Sequence, residues 1–457
     1  MSALRKNEID MIHGPMAKKI IIFAIPLALS SMLQQLFNAA DLAVVGRFAS
    51  SQSMAAVGSN SAVISLLVSM FVGMSIGANV VLGNILGSGK RESVSDAVHT
   101  VFSVALIAGF SLLVLGIALA RPVLRIMNVP EDIIDLAVLY LRIYFIGMPP
   151  IMLYNFGSAV LRSKGDSRRP FIALVSAGVL NVVLNVIFVA VFHLNVVGVA
   201  LATVLSNFLS GGLTVRFLMT EKDEFRLYPK RISINKEYLV MILKIGIPAG
   251  MQGMVFSFSN VFIQSAINSF GSDCVAGIAA EQNLDFMSYC MVNAFANTCT
   301  TFTSQNYGAK NEERCKKVWR LSMGIGLIAD ISLILIIVLL SKPLLHLFTD
   351  DPEVLKYSMI KVRYCLSLHF ICCTYEVSAG ALRGMNRSAL PAIIAIVGTC
   401  AARLLYVILI FPMFNTPEAL ILVYPITWVI TSFAMNTAYF SARRKMSLSW
   451  PKPEETV

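Results

Sequence analysis

The chain has 457 residues, 56% of them hydrophobic and 14% charged, with a mean hydropathy of +0.73 and a formal net charge of +11. A water-soluble globule of this length needs more charge to cover its surface, so that class is excluded. Nucleic acid is excluded as the reason for the positive charge, because Lys and Arg collect in the termini and alternate loops between long apolar blocks.

Those blocks run about 20 residues or more, the length that crosses a bilayer core of about 30 Å as a helix. In lipid the backbone must satisfy its own polar groups, which leaves helices or closed barrels, and continuous runs indicate helices. Residues 1–15 are polar, and the block after Lys18-Lys19 outruns a secretory h-region, so it is expected to remain as a first span.

The first span, 18–45, contains Pro26 and Asp41, the lone carboxylate between Asp10 and Glu92. An ionisable group in a membrane helix is costly and points to function, and a buried carboxylate can take up and release a proton. The plainer alternative is an interfacial Asp beside Arg47. Spans follow at 54–86, 94–118 and 132–160, the last with Arg142 near its outer end, where snorkelling accounts for it. The fifth, 170–192, carries Asn181 and Asn185 four apart on one helix face, and the sixth, 196–219, carries Thr203. Polar glue between packed helices would equally explain these three.

After the polar linker Glu221–Lys236 comes a seventh span, 239–268, with Pro248 and no carboxylate between Pro248 and Ser272. The eighth, 275–304, places Glu281 and Asp285 at i and i+4, where like charges repel unless one is protonated or paired. They could attract a cationic compound in a cleft, or sit in an outer vestibule if the helix starts late. The ninth (317–341) holds Asp330, the tenth (354–381) Tyr375 and Glu376, the eleventh (390–412) Arg403, and the twelfth is 418–441. Asp330 and Arg403 each lie about 12 residues, or about 18 Å, from the cytoplasmic end, so a structural ion pair at equal depth is expected. The eight Cys all follow position 270 without a CxxC or Cys/His spacing, so no metal site is expected. The five His are dispersed, with no HExxH or GxSxG, which argues against an enzyme.

About 27 Lys and Arg fall in the termini and alternate loops, against about five (Arg47, Arg121, Arg125, Lys342, Lys356) on the other side. This bias predicts a multi-pass protein of the cell membrane with both termini cytoplasmic. The two halves also repeat. Ile25-Pro26 meets Ile247-Pro248 and Asn38 meets Asn260 at an offset of about 222 residues; Leu161-Arg162 meets Leu382-Arg383, and Pro170 meets Pro391, at about 221. The predicted fold is an all-α integral membrane protein with twelve transmembrane helices in two pseudo-symmetric six-helix bundles. Residues 1–230 form an amino-terminal lobe with its linker, 231–446 a carboxy-terminal lobe and 447–457 a cytoplasmic tail. Six spans per half make the repeats parallel, an arrangement that serves alternating access when one bundle rocks against the other. Pro26 and Pro248 permit kinks, either static or working as hinges.

At these landmarks the sequence resembles the multidrug and toxic compound extrusion (MATE) family, in its DinF-like bacterial branch. The carrying stretches are Ile25-Pro26 through Asp41-Leu42-Ala43-Val44-Val45-Gly46, Leu161-Arg162-Ser163-Lys164-Gly165-Asp166, Gly198-Val199-Ala200-Leu201-Ala202-Thr203, Gln305-Asn306-Tyr307-Gly308-Ala309 and Leu382-Arg383-Gly384. The resemblance implies a monomeric exporter of small organic, often cationic, compounds from the bilayer-embedded protein, driven by inward H⁺ or Na⁺ and needing no other cofactor. It implies that Asp41 couples to the ion, with Asn181, Asn185 and Thr203 completing the site. Similar proteins often carry Asn then Asp on the fifth helix; Asn185 departs from that, so Asp41 would be the site's one titratable group. The family also often has carboxylates on the seventh and tenth helices. The seventh has none here, and Glu376, beside Tyr375, is either a substitute in the cleft or a local structural partner. A lipid-linked oligosaccharide flippase of the wider superfamily is the alternative, and it would need a more cationic cleft than Arg403 alone provides.

Overall fold

The computed structural model describes residues 8–48, 51–127 and 129–450. Among them there is no strand. The first half consists of α1 (Ala17–Phe48), α2 (Ser51–Gly87), α3 (Glu92–Ile126), α4 (Ile134–Ile146), α5 (Met148–Ser163), α6 (Arg168–Asn185) and α7 (Asn195–Met219). The second consists of α8 (Lys236–Asn268), α9 (Ser272–Gly308), α10 (Glu312–Leu339), α11 (Ser341–Leu345), α12 (Pro352–Tyr364), α13 (Phe370–Gly384), α14 (Ala389–Ala395), α15 (Ala402–Leu405), α16 (Phe411–Phe414), α17 (Pro417–Ile421) and α18 (Val423–Ser449).

Nine helical stretches are long and apolar enough to cross a membrane, and eleven when two bent pairs, α4 with α5 and α12 with α13, each count as one span. The twelfth is α9, 37 residues long but rich in Ser, Thr and Asn. Its polarity is internal. Thr298 and Thr300 donate to the carbonyls of Ala294 and Ala296 at 2.7 and 3.0 Å, and Thr301, Thr303 and Ser304 are buried. A hydroxyl that returns its hydrogen to the preceding turn costs little in a dry interior, so a polar helix spans when neighbours cover it. Conversely, Ile107, Phe110, Val114 and Leu115 of α3 are exposed, as lipid-facing residues are.

The chain forms two compact units. One comprises residues 8–10 with Leu29–Gly246, the other Met11–Ala28 with residues 247–450. Both boundaries inside helices fall within three residues of a proline, Pro26 in α1 and Pro248 in α8, and both helices continue through it. Each proline frees a carbonyl in the preceding turn at the point where its helix passes from one unit to the other. In the first unit α2 and α8 touch backbone to backbone: a Cβ on Gly77 would lie 2.4 Å from the Ile242 carbonyl oxygen. Small residues permit such contact where a side chain would hold the helices apart.

The repeat persists in the irregularities. The α4–α5 span bends by 46° at Gly147, ahead of Pro149-Pro150, and the α12–α13 span bends by 44° around Leu366–Leu368, whose last residue is the repeat-mate of Gly147. The π-helical turn Val186–Val191 that extends α6 has its counterpart in Tyr406–Ile410.

The stretch Leu161–Asp166 ties together one end of the first unit. Gly165, at φ +104°, lets its carbonyl accept from Ile9 at 3.2 Å. The Asp166 carboxylate accepts from the amides of Arg168 and Arg169 at 2.9 and 3.0 Å, capping α6. Lys164, side chain 6% exposed, meets Glu8 at 2.7 Å, Glu221 at 2.8 Å and Asp223. Glu8, Glu221 and Asp223 converge as metal ligands would, but the Lys164 ammonium occupies that place. Burial opposes the charge on Lys164; the hydrogen bonds it donates to Asp223, Glu221 and Glu8 outweigh that and hold the ammonium above the ordinary lysine range.

Candidate functional site

In the first unit three helices deliver one continuous polar chain into an apolar bundle. Asp41 comes from the last turns of α1, Asn181 and Asn185 from α6, and Thr203 from α7. The Asn185 amide donates to Asp41 Oδ1 at 2.5 Å and to Asn181 Oδ1 at 3.2 Å. Asn181 donates to Thr203 Oγ1 at 3.4 Å, and Thr203 donates to the Val199 carbonyl at 3.0 Å. The four residues that the sequence put on three separate spans are thus linked side by side, with Asp41 facing α6.

One acceptor is left over. Asn185 Oδ1 is buried without a hydrogen-bond partner. A buried oxygen without a donor is costly, and here it adjoins a carboxylate. The pair can accept a proton-bearing or cationic guest, with the Asn181 and Thr203 oxygens in line behind it. Sequence reasoning missed Tyr140 and Tyr144 of α4, which stack at 6.2 Å and lie within electrostatic range of Asp41. No signal in the chain marks them, since aromatic residues are common in membrane helices.

Close approach of α1 to α6 sets this geometry. A Cβ on Gly178 would lie 1.7 Å from the Phe37 ring, one turn before Asp41. Gly178→Val must therefore push α1 outward. Overpacking of this kind costs about 1–3 kcal/mol. If Asp41 couples transport as the resemblance implies, this change should lower export while Asp41 itself is intact. Normal export by a folded Gly178→Val protein would show that the α1–α6 spacing is not required.

The second unit holds the other candidates, and several are placed differently from expectation. Asp330 and Arg403 do not pair. Arg403 lies over the rings of Phe256 and Tyr424, at 5.2 and 4.7 Å, and donates to Thr427 at 3.3 Å and Asn260 at 3.4 Å. Asp330 accepts from Ser288 at 2.5 Å. Equal depth was not enough, because α10 packs on α9 and α13 whereas α15 packs on α18. Glu281 is fully buried and paired with Lys361 at 2.6 Å, so it lines no vestibule. Asp285 lies 3.8 Å from His369. Tyr375 donates to Cys372 at 3.5 Å, and the ion-pair partner of Glu376 is Arg383 of the same helix at 3.9 Å. Lys361, His369 and Ser288 escaped sequence reasoning, although a Lys and a His inside one apolar span were signal enough.

The fold recurs in known proteins. A profile of the MatE family matches residues 26–187 and 248–409, one match in each half, each beginning at the proline of the first helix. The "Probable multidrug resistance protein YpnP" of Bacillus subtilis (strain 168) is 30% identical over 352 residues, 76% of this chain and 78% of that one. The "Probable multidrug resistance protein YoeA" of the same organism is 26% identical over 386 residues, 83% of each. A solved structure described as the outward-facing conformation of a multidrug resistance MATE family transporter superposes with a TM-score of 0.88 at 20% identity, covering 96% of this chain and 98% of that one. With two family matches spanning most of both repeats and a helical architecture shared with solved structures of that family, this chain belongs to the multidrug and toxic compound extrusion family of multi-pass membrane transporters.

Proposed function

We propose that the chain is a secondary active exporter of the cell membrane, which moves varied small organic compounds outward in exchange for H⁺ or Na⁺. Relatives named as multidrug resistance proteins support the substrate class. The observation that carries the coupling role is the Asp41–Asn185 contact with its unfilled neighbouring acceptor. Proton or Na⁺ binding at Asp41 favours one arrangement of the protein, and compound binding favours the other. A ligand shifts such an equilibrium only by its differential affinity for the two states, so ion and compound must each prefer one state. Lys and Arg crowding on one side supports cytoplasmic termini.

The test is purified protein in liposomes loaded with a fluorescent organic cation, with pH and sodium gradients imposed separately. Efflux accelerated by one of them is expected and names the ion. Efflux indifferent to both would overturn the coupled-exporter reading.

A further inference from the structure

We propose that His369, held between Asp285 and Asp330, is a second proton-carrying site, lodged in the second unit and separate from Asp41. His369 stands at the bend between the turn Leu366–Leu368 and α13, with its side chain 3% exposed. Its Nδ1 is 2.7 Å from Ser288 Oγ, and Ser288 Oγ is 2.5 Å from Asp330 Oδ1. A serine has one hydrogen. With Asp330 ionised, that hydrogen goes to the carboxylate, so Ser288 accepts from His369 and Nδ1 carries a hydrogen. The other nitrogen, Nε2, faces Asp285 Oδ1 at 3.8 Å, and this is the atom that gains or loses a proton. Asp285 Oδ1 and Asp330 Oδ2 are both buried without a hydrogen-bond partner; Asp330 Oδ2 is 3.9 Å from His369.

Charge counting leads to the same place. Glu281 and Lys361 cancel at 2.6 Å. Asp285 and Asp330 then face one imidazole, so the cluster is negative even when His369 is charged. Unbalanced charge in a dry interior is costly, and a proton is the smallest thing that removes it. Cys372 of α13 lies against His369, and Cys365 of the α12 end and Tyr424 of α18 lie within electrostatic range of Asp285. None supplies a further cation.

The repeat makes the contrast plain. The mate of Asp41 in the second half is Ile263, so that half lacks a carboxylate where the first has one. At the bend the first half has Gly147-Met148 and the second Leu368-His369. The titratable group has moved from the first helix of the repeat to the bend of the fourth. Loading a proton there changes the charge at a point where the helix already breaks.

Trp428 provides the readout, since its ring stands edge-on to His369 with centroids 5.4 Å apart. A charged imidazole quenches indole emission far more than a neutral one. The full chain is studied in detergent with Trp319→Phe and Trp450→Phe, so that Trp428 alone emits. Emission is expected to rise about twofold or more in one step between about pH 5 and pH 10, the range that spans histidine titration and its shifts. The step should vanish with His369→Gln and persist with Asp41→Asn, which keeps this result independent of the first site. If His369→Gln does not fold, Ser288→Ala decides, because removing the Nδ1 acceptor must move the midpoint. Flat emission across the range, the same step in His369→Gln, or an unmoved midpoint in Ser288→Ala would overturn the proposal and leave a static ion pair.

Discussion

Asp41→Asn is expected to lower gradient-driven export about 10- to 100-fold, in keeping with coupling energies of about 1–3 kcal/mol between ion and substrate. Asn has the shape of Asp and can still accept from Asn185 through its carbonyl oxygen, so the polar chain through Asn181 to Thr203 survives. What disappears is the charge and the capacity to bind a proton. The substituted protein should therefore fold, reach the membrane and bind its compounds, and fail only to use the gradient. Efflux from proteoliposomes, compared with and without an imposed gradient, measures this. Gradient-driven export at the parental rate would remove Asp41 from the coupling role.

Lys164→Met should produce the largest loss of stability. The side chain is buried among Glu8, Glu221 and Asp223, and truncating one partner of a buried ionic group costs about 3–5 kcal/mol because the opposite charges remain. At about 2–4 °C per kcal/mol for larger domains, thermal unfolding in detergent should shift down by about 6–20 °C. Lys164→Arg should recover much of it. The pH sense follows from the raised lysine. Its contribution is complete at neutral pH and is lost only as pH climbs past the ordinary lysine value of 10.5 and through the higher native one. A Lys164→Met protein as stable as the parent would mean the knot is solvated in the working protein.

The spans were legible because lipid imposes a length and a polarity on every crossing helix. Even α9, too polar for a hydropathy test, falls where the eighth span was expected. Asp41 was legible for the same reason, as a lone carboxylate in an apolar run. Distance along a helix gives depth, and depth correctly set Asp330 and Arg403 inside the bundle, where both are buried. Partner choice depends on rotation about the helix axis and on which helices adjoin. Neither is encoded in spacing, so Asp330 was matched with Arg403 rather than Ser288 and His369. The pairing left open for Glu281 could not be assigned for a related reason, since its partner Lys361 lies 80 residues away on α12.

The division of α1 and α8 between the two units has a consequence for how the protein is made. When the ribosome has produced the first six spans, the first unit is still missing Lys236–Gly246, which pack with it. Meanwhile Met11–Ala28, translated before the rest of the spans, waits for partners that emerge hundreds of residues later: Phe302 beside Phe23 at 5.7 Å, and Asn306 donating to the Met11 carbonyl at 3.0 Å. Neither half can mature alone in the order of synthesis, so a chain stalled in the linker leaves an orphan with an unfinished bundle and an early segment bound to nothing, a ready substrate for membrane proteases.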